Sequence, residues 1–170
     1  MRAPILALLF TASPLLADTD YPGAPASVTA AYIEADGAGL ALDGETAPKL
    51  LSFTTWDDAP GWDSFVVIKS YDIASAGWEN DKQHPKNGDK ADVEIVYHVL
   101  GSMNGLVFVP KPADETVTFD LVRKKGRWKI VKPQIPPHLF LPDAIRALET
   151  IGAKDDADGK ASLRKLRALE

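Results

Sequence analysis

The stretch TVTFDLVRKKGRWKIVKP, Thr116 to Pro133, limits the fold more than any other part of the chain. Val117, Phe119 and Leu121 alternate with polar residues, and Trp128 and Ile130 resume the same two-residue period beyond Lys-Lys-Gly. Alternation of this kind places one set of side chains on a single face of a strand. Gly126 accepts a left-handed backbone at little cost, so Lys124, Lys125 and Gly126 read as a three-residue hairpin loop. An antiparallel sheet therefore lies at the centre of the architecture.

Two upstream segments extend that sheet. In DVEIVYHVLG, Val93, Ile95, Tyr97 and Val99 fall on one face, and Asp92, Glu94, Val96 and His98 on the other. In SFVVIKSYDIAS, Phe65, Val67, Tyr71 and Ile73 share a side that Lys69 interrupts. A short strand is predicted at Leu106 to Val109. Val66, Ile68, Val96 and Val122 then lie opposite the expected core. Such an apolar outer face needs a cover, either the C-terminal helices or a second copy of the chain.

Helical spacing comes before the strands. Val28, Ala31, Tyr32, Ala35, Gly39 and Leu42 recur at intervals of three and four, with Pro25 suited to the first turn and Gly44 to the stop. Gly37 and Gly39 each weaken a helix by roughly 1 kcal/mol, and they leave room for another element to approach. TAPKLLSFTTW reads as a second, short helix. Beyond the hairpin, the prolines of KPQIPPHLF exclude a central strand. LPDAIRALETIG reads as a helix starting near Pro142, AKDDADGK as a hydrophilic break, and ASLRKLRALE as a basic helix or a frayed end.

The first residues, MRAPILALLFTASPLLAD, have the form of a secretory leader: Arg2, a short apolar run from Ala3 to Phe10, and a small residue, Ala17, before Asp18. The run is too short to span a bilayer, and no second apolar span follows. Loss of 17 of the 170 residues leaves 153, and loss of Arg2 takes the net charge from −5 to −6. That length fits one hydrophobic core, and the acidic balance gives no broad attraction to nucleic acid. With no cysteine, neither disulfides nor a lipid anchor at an N-terminal Cys can form. The expected division is a leader at 1–17, a lead-in at 18–24, a domain at 25–133, and a Pro-rich connection with a helical tail at 134–170. The expected address is the periplasm or the exterior.

The order of elements, helices and then antiparallel strands ending in GDKADVEIVYHVLG and VTFDLVRKKGRWKIVKP, resembles the nuclear transport factor 2-like superfamily. Gly126, Trp128 and Ile130 match the turn and strand with which many members finish. The resemblance covers roughly Pro25 to Val131. It implies an α+β cone, N-terminal helices packed on a curved antiparallel sheet, with a cavity between them. It does not imply a reaction, because the fold hosts isomerases, dehydratases, hydrolases, transport factors, immunity proteins and binding modules.

Under that resemblance the residues facing the cavity are Tyr32, Tyr71, Tyr97 and Trp128, whose aromatic bodies and polar tips suit an apolar or amphipathic ligand. The simpler reading of each is core packing. TWDDAPGWDSF is the densest chemical cluster: Trp56 and Trp62 bracket Asp57 and Asp58, and Asp63 follows. Two indoles beside carboxylates suit a sugar or an organic cation, and Trp78 is placed to join this rim. The ordinary alternative is a Pro-Gly turn with solvated acids. The inward faces of the strands carry no Asp or Glu, which argues against proton-transfer chemistry. His84, His98 and His138 have no metal-ligand spacing, DDADGK lacks the end ligands of a calcium loop, and neither a nucleophile elbow nor a phosphate loop exists. No metal or cofactor is expected. The reading is an exported, non-catalytic module that binds a small ligand or a protein partner. The alternatives are a small-molecule isomerase, dehydratase or hydrolase, and an immunity-type interaction module.

Overall fold

The chain forms an N-terminal helix, a curled five-stranded sheet and two C-terminal helices, an α+β fold. The structure, a computed structural model, describes residues 23–78 and 90–170. Residues 1–17, expected to be a leader, and His84 lie outside the described residues. Helix α1 (Pro25–Gly37) is followed by 3₁₀ turns at Leu40–Leu42 and Ala47–Ser52. The strands are β1 (Ser64–Trp78), β2 (Lys90–Asn104), β3 (Val107–Lys124), β4 (Arg127–Lys132) and β5 (His138–Phe140). Helices α2 (Leu141–Thr150) and α3 (Ala157–Arg167) close the chain. The strand order is β4-β3-β2-β1-β5. Among the five strands every pairing is antiparallel except β1 with β5, which makes the sheet mixed, and a single parallel bridge joins Thr54 to Ile130.

Several expected elements differ in extent. Helix α1 stops at Gly37, not near Gly44, because Gly39 turns left-handed with φ 87°. The expected second helix is the 3₁₀ turn at Ala47–Ser52. Leu106 to Val109 holds no separate strand: Val107 opens an unbroken strand of 18 residues. The β3–β4 loop is shorter than expected. Lys124 pairs with Arg127, and Lys125 and Gly126 both have positive φ, 50° and 77°, as a two-residue hairpin turn requires.

Two apolar clusters hold the layers together. One joins Tyr32 and Ile33 of α1 to Val93, Ile95 and Tyr97 of β2, Phe119 and Leu121 of β3, and Trp128 and Ile130 of β4. The other joins Phe65 and Val67 of β1, Met103 and Phe108 to Ala144, Ile145 and Leu148 of α2 and Leu163 and Leu166 of α3. Ile68 was expected on the outer face, yet it lies fully buried in the first cluster. Register shifts on either side of it explain this: Val67 faces Gly101, Ile68 faces Val99 and Ser70 faces His98, so strict alternation fails there.

The C-terminal helices are part of the fold. Asp156 accepts hydrogen bonds from the backbone N–H groups of Asp158 and Gly159, so DDADGK is a helix cap. The buried Ser162 hydroxyl accepts from the N–H of Phe108 at 2.8 Å and donates to the carbonyl of Leu106 at 2.7 Å. That covers the edge of β3 where β4 does not reach. Among the described residues no helix is long and apolar enough to cross a membrane.

Candidate functional site

Helix α1 brings a carboxylate into the interior. Its buried face is Pro25, Ala26, Thr29, Tyr32, Ile33, Asp36 and Gly37, a run of helical neighbours. The two polar members are satisfied internally. The Thr29 hydroxyl donates to the carbonyl of Pro25 at 3.0 Å, and Asp36 accepts the backbone N–H of His138 at 2.9 Å. Gly37 is needed beside this junction, since a Cβ there would stand 2.4 Å from the ring of Phe140.

Asp36 is 5% exposed. Burial pushes its carboxyl up to about 7, against a smaller downward pull from the His138 N–H. The side chain of His138 is also buried, and desolvation brings its imidazole down to about 4. Its Nδ1 lies 2.8 Å from the carbonyl of Pro136, an acceptor only, so the neutral ring carries its proton on Nδ1. The ring stacks on Tyr97, with centroids 4.3 Å apart.

The four expected cavity residues occupy different surroundings. Tyr32 and Tyr97 are buried near Asp36, and burial followed by the Asp36 charge holds both phenols well above their ordinary value. Tyr71 is half-buried and donates to Glu34 at 3.0 Å, and burial pushes it up to about 12. Trp128 is buried in the apolar cluster, with the Arg123 guanidinium 5.5 Å from its ring.

The two bracketing tryptophans do come together with α1. Tyr32, Asp36, Trp56 and Trp62 line one cavity, with Ala41, Leu50, Pro60 and Ile135 among its apolar walls. Trp56 is pinned: its Nε1–H donates to the carbonyl of Val131 at 3.0 Å, and its ring meets Tyr32 edge to face at 6.0 Å. Trp62 is half-buried and makes no hydrogen bond or ring pairing among the described residues. The free space at the centre is about 10 Å³, room for roughly one water molecule. Asp57, Asp58 and Asp63 are exposed and do not line it. Trp78 ends β1, and its side chain lies outside the described set.

A second polar constellation sits on the sheet's other face. His98 of β2 bridges Asp114 of β3 through Nδ1 at 2.7 Å and Asp72 of β1 through Nε2 at 2.9 Å. Both ring nitrogens face carboxylate oxygens, which accept only, so the arrangement favours the doubly protonated, charged ring. The hydrogen bonds to Asp72 and then Asp114 raise its pKa.

Neither the strand patterns nor the apolar spacing of α1 singles out Asp36, because it is an acid on the buried face of a helix. The signal was available: Asp36 follows Tyr32 by four positions and Ile33 by three. No protein-family model, curated protein or solved structure matches this chain.

Proposed function

We propose that the chain is an exported, non-catalytic module of the nuclear transport factor 2-like type that binds a small ligand or a protein partner in the cell envelope. The curled sheet packed by helices is compatible with such a cone, and the leader-like N-terminus supports export. The observation that carries the binding role is the convergence of Tyr32, Trp56 and Trp62 with one buried acid on a largely apolar cavity, which at about 10 Å³ must open to admit a ligand. Native mass spectrometry of the protein isolated from its own host tests the proposal. A retained small molecule or partner chain supports it; turnover of a small molecule that disappears in Asp36→Asn overturns it.

A second reading, an enzyme using this cavity, is favoured by one observation: a buried carboxyl raised to about 7 is poised to exchange a proton at neutral pH. The rest of the lining weighs against it. The Tyr32 phenol is the other titratable group there, and burial makes it a poorer proton donor.

A further inference from the structure

The walls of the cavity narrow the chemistry of its occupant, on the premise that the cavity is a ligand site. Three aromatic residues line it, Tyr32 from α1 and Trp56 and Trp62 from the connection to β1, together with the buried carboxyl of Asp36. Among the described residues no Lys, Arg or His lines it. An aromatic face carries negative charge density, which attracts a cation within about 6 Å of the ring centroid. Asp36 already accepts the His138 N–H, and a cation placed against it would favour its ionised form, whereas an anion would be repelled. Electron-rich rings, one acid and no basic residue select for positive charge, while Leu50, Pro60 and Ile135 suit an apolar periphery.

We infer that this cavity is a cage for a small organic cation of the alkylammonium class, with its charge against Asp36 and the rings of Tyr32, Trp56 and Trp62. Space for one water does not hold such an ion, so one wall must move. Trp56 is tied to Val131 and Tyr32. Trp62 lacks such ties among the described residues, so Trp62 with Ala59 and Pro60 forms the movable wall.

The test compares choline with 3,3-dimethyl-1-butanol, its uncharged carbon isostere, each titrated into the full chain by calorimetry and indole fluorescence. The cage predicts at least about tenfold tighter binding of choline. It predicts about tenfold weakening in Trp62→Ala, near-recovery in Trp62→Phe, and loss of the preference in Asp36→Asn. Equal binding of the two probes overturns the cation assignment and leaves the ligand-binding reading standing. Choline affinity unchanged in Trp62→Ala overturns the location. Binding of neither probe overturns the inference, and a neutral molecule retained in native mass spectra would still uphold the broader reading. If Asp36→Asn does not fold, the probe pair on the natural chain and the Trp62 variants decide the matter.

Discussion

Two histidines in this molecule meet aspartates under opposite conditions. His138 is buried, its ring is neutral, and its backbone N–H satisfies a carboxyl that is itself held near 7. His98 lies on the solvent side between Asp72 and Asp114, and its hydrogen bonds to both raise its pKa and favour the charged ring. Residue type is the same; access to water reverses the protonation. Inside, desolvation outweighs a hydrogen bond and both groups lean to neutrality. Outside, solvent carries the charges and the two carboxylates add to the imidazolium. The interior pair therefore sets how stability depends on pH, and the surface triad adjusts it.

The largest expected effect is at Asp36. Its carboxyl moves from an ordinary 3.8 to about 7, so the folded chain keeps a proton that the unfolded chain has released. Stability falls as pH rises from about 4 through 7, by on the order of 4 kcal/mol. Asp36→Asn keeps an acceptor for the His138 N–H and removes the charge. It should match the natural protein near pH 4 and exceed it by a few kcal/mol near pH 8 in denaturant titrations. A constant offset at both pH values would break the comparison on its interior side.

His138 acts in the opposite sense. A fall from 6.5 to about 4 means the unfolded chain takes up a proton that the buried ring refuses. Its contribution is full above about pH 6.5 and is lost as pH drops towards 4, by about 3 kcal/mol. His138→Phe keeps a ring against Tyr97 and should flatten this acid limb relative to the natural chain. Between about pH 4 and 6.5 the two interior groups oppose one another, so Asp36→Asn should expose the His138 slope. A double variant without either slope would sharpen the assignment.

The smallest effect is expected at His98. Its pKa is raised in the folded state, so its contribution is present below the ordinary value of 6.5 and fades as pH rises through the folded one. His98→Asn should lower the melting temperature slightly near pH 5, and the difference should shrink as pH rises above 6.5. Salt at about 1 M should shrink the difference, because the triad is exposed. A loss that ignores both pH and salt would make His98 a packing residue.

The parts of this fold that were readable are those governed by local repetition. The alternation around Tyr97 and the hairpin at Gly126 follow from neighbours in sequence, as does the helix at Pro142. The position of Ile68 was not readable, because it depends on how β1 slips against β2 at Val99 and Gly101. Nor was β5: a three-residue parallel strand after three prolines is defined by its seat beside Val66 to Ile68. The candidate site divides the same way. Trp56 and Trp62 stand out as a cluster, and the structure brings both to Tyr32. The nearby Asp57 and Asp58 drew attention as acids, while the acid that reaches the cavity comes from α1. Helix phase decides that, and an apolar stripe drawn without Thr29, Ile33 and Asp36 is rotated away from the true buried face.

The bond between Asp36 and His138 joins positions 102 residues apart. It also limits the order of events during synthesis. Helix α1 and the antiparallel strands all precede β5 in the chain, so the seam between the helix and β1 is completed only by residues up to Phe140. Without residues 137–140, Asp36 loses the N–H it accepts and Val66 loses the carbonyl of Pro137. Distant closures of this kind are slow to find. The last quarter of the polypeptide thus acts as the keystone of the first.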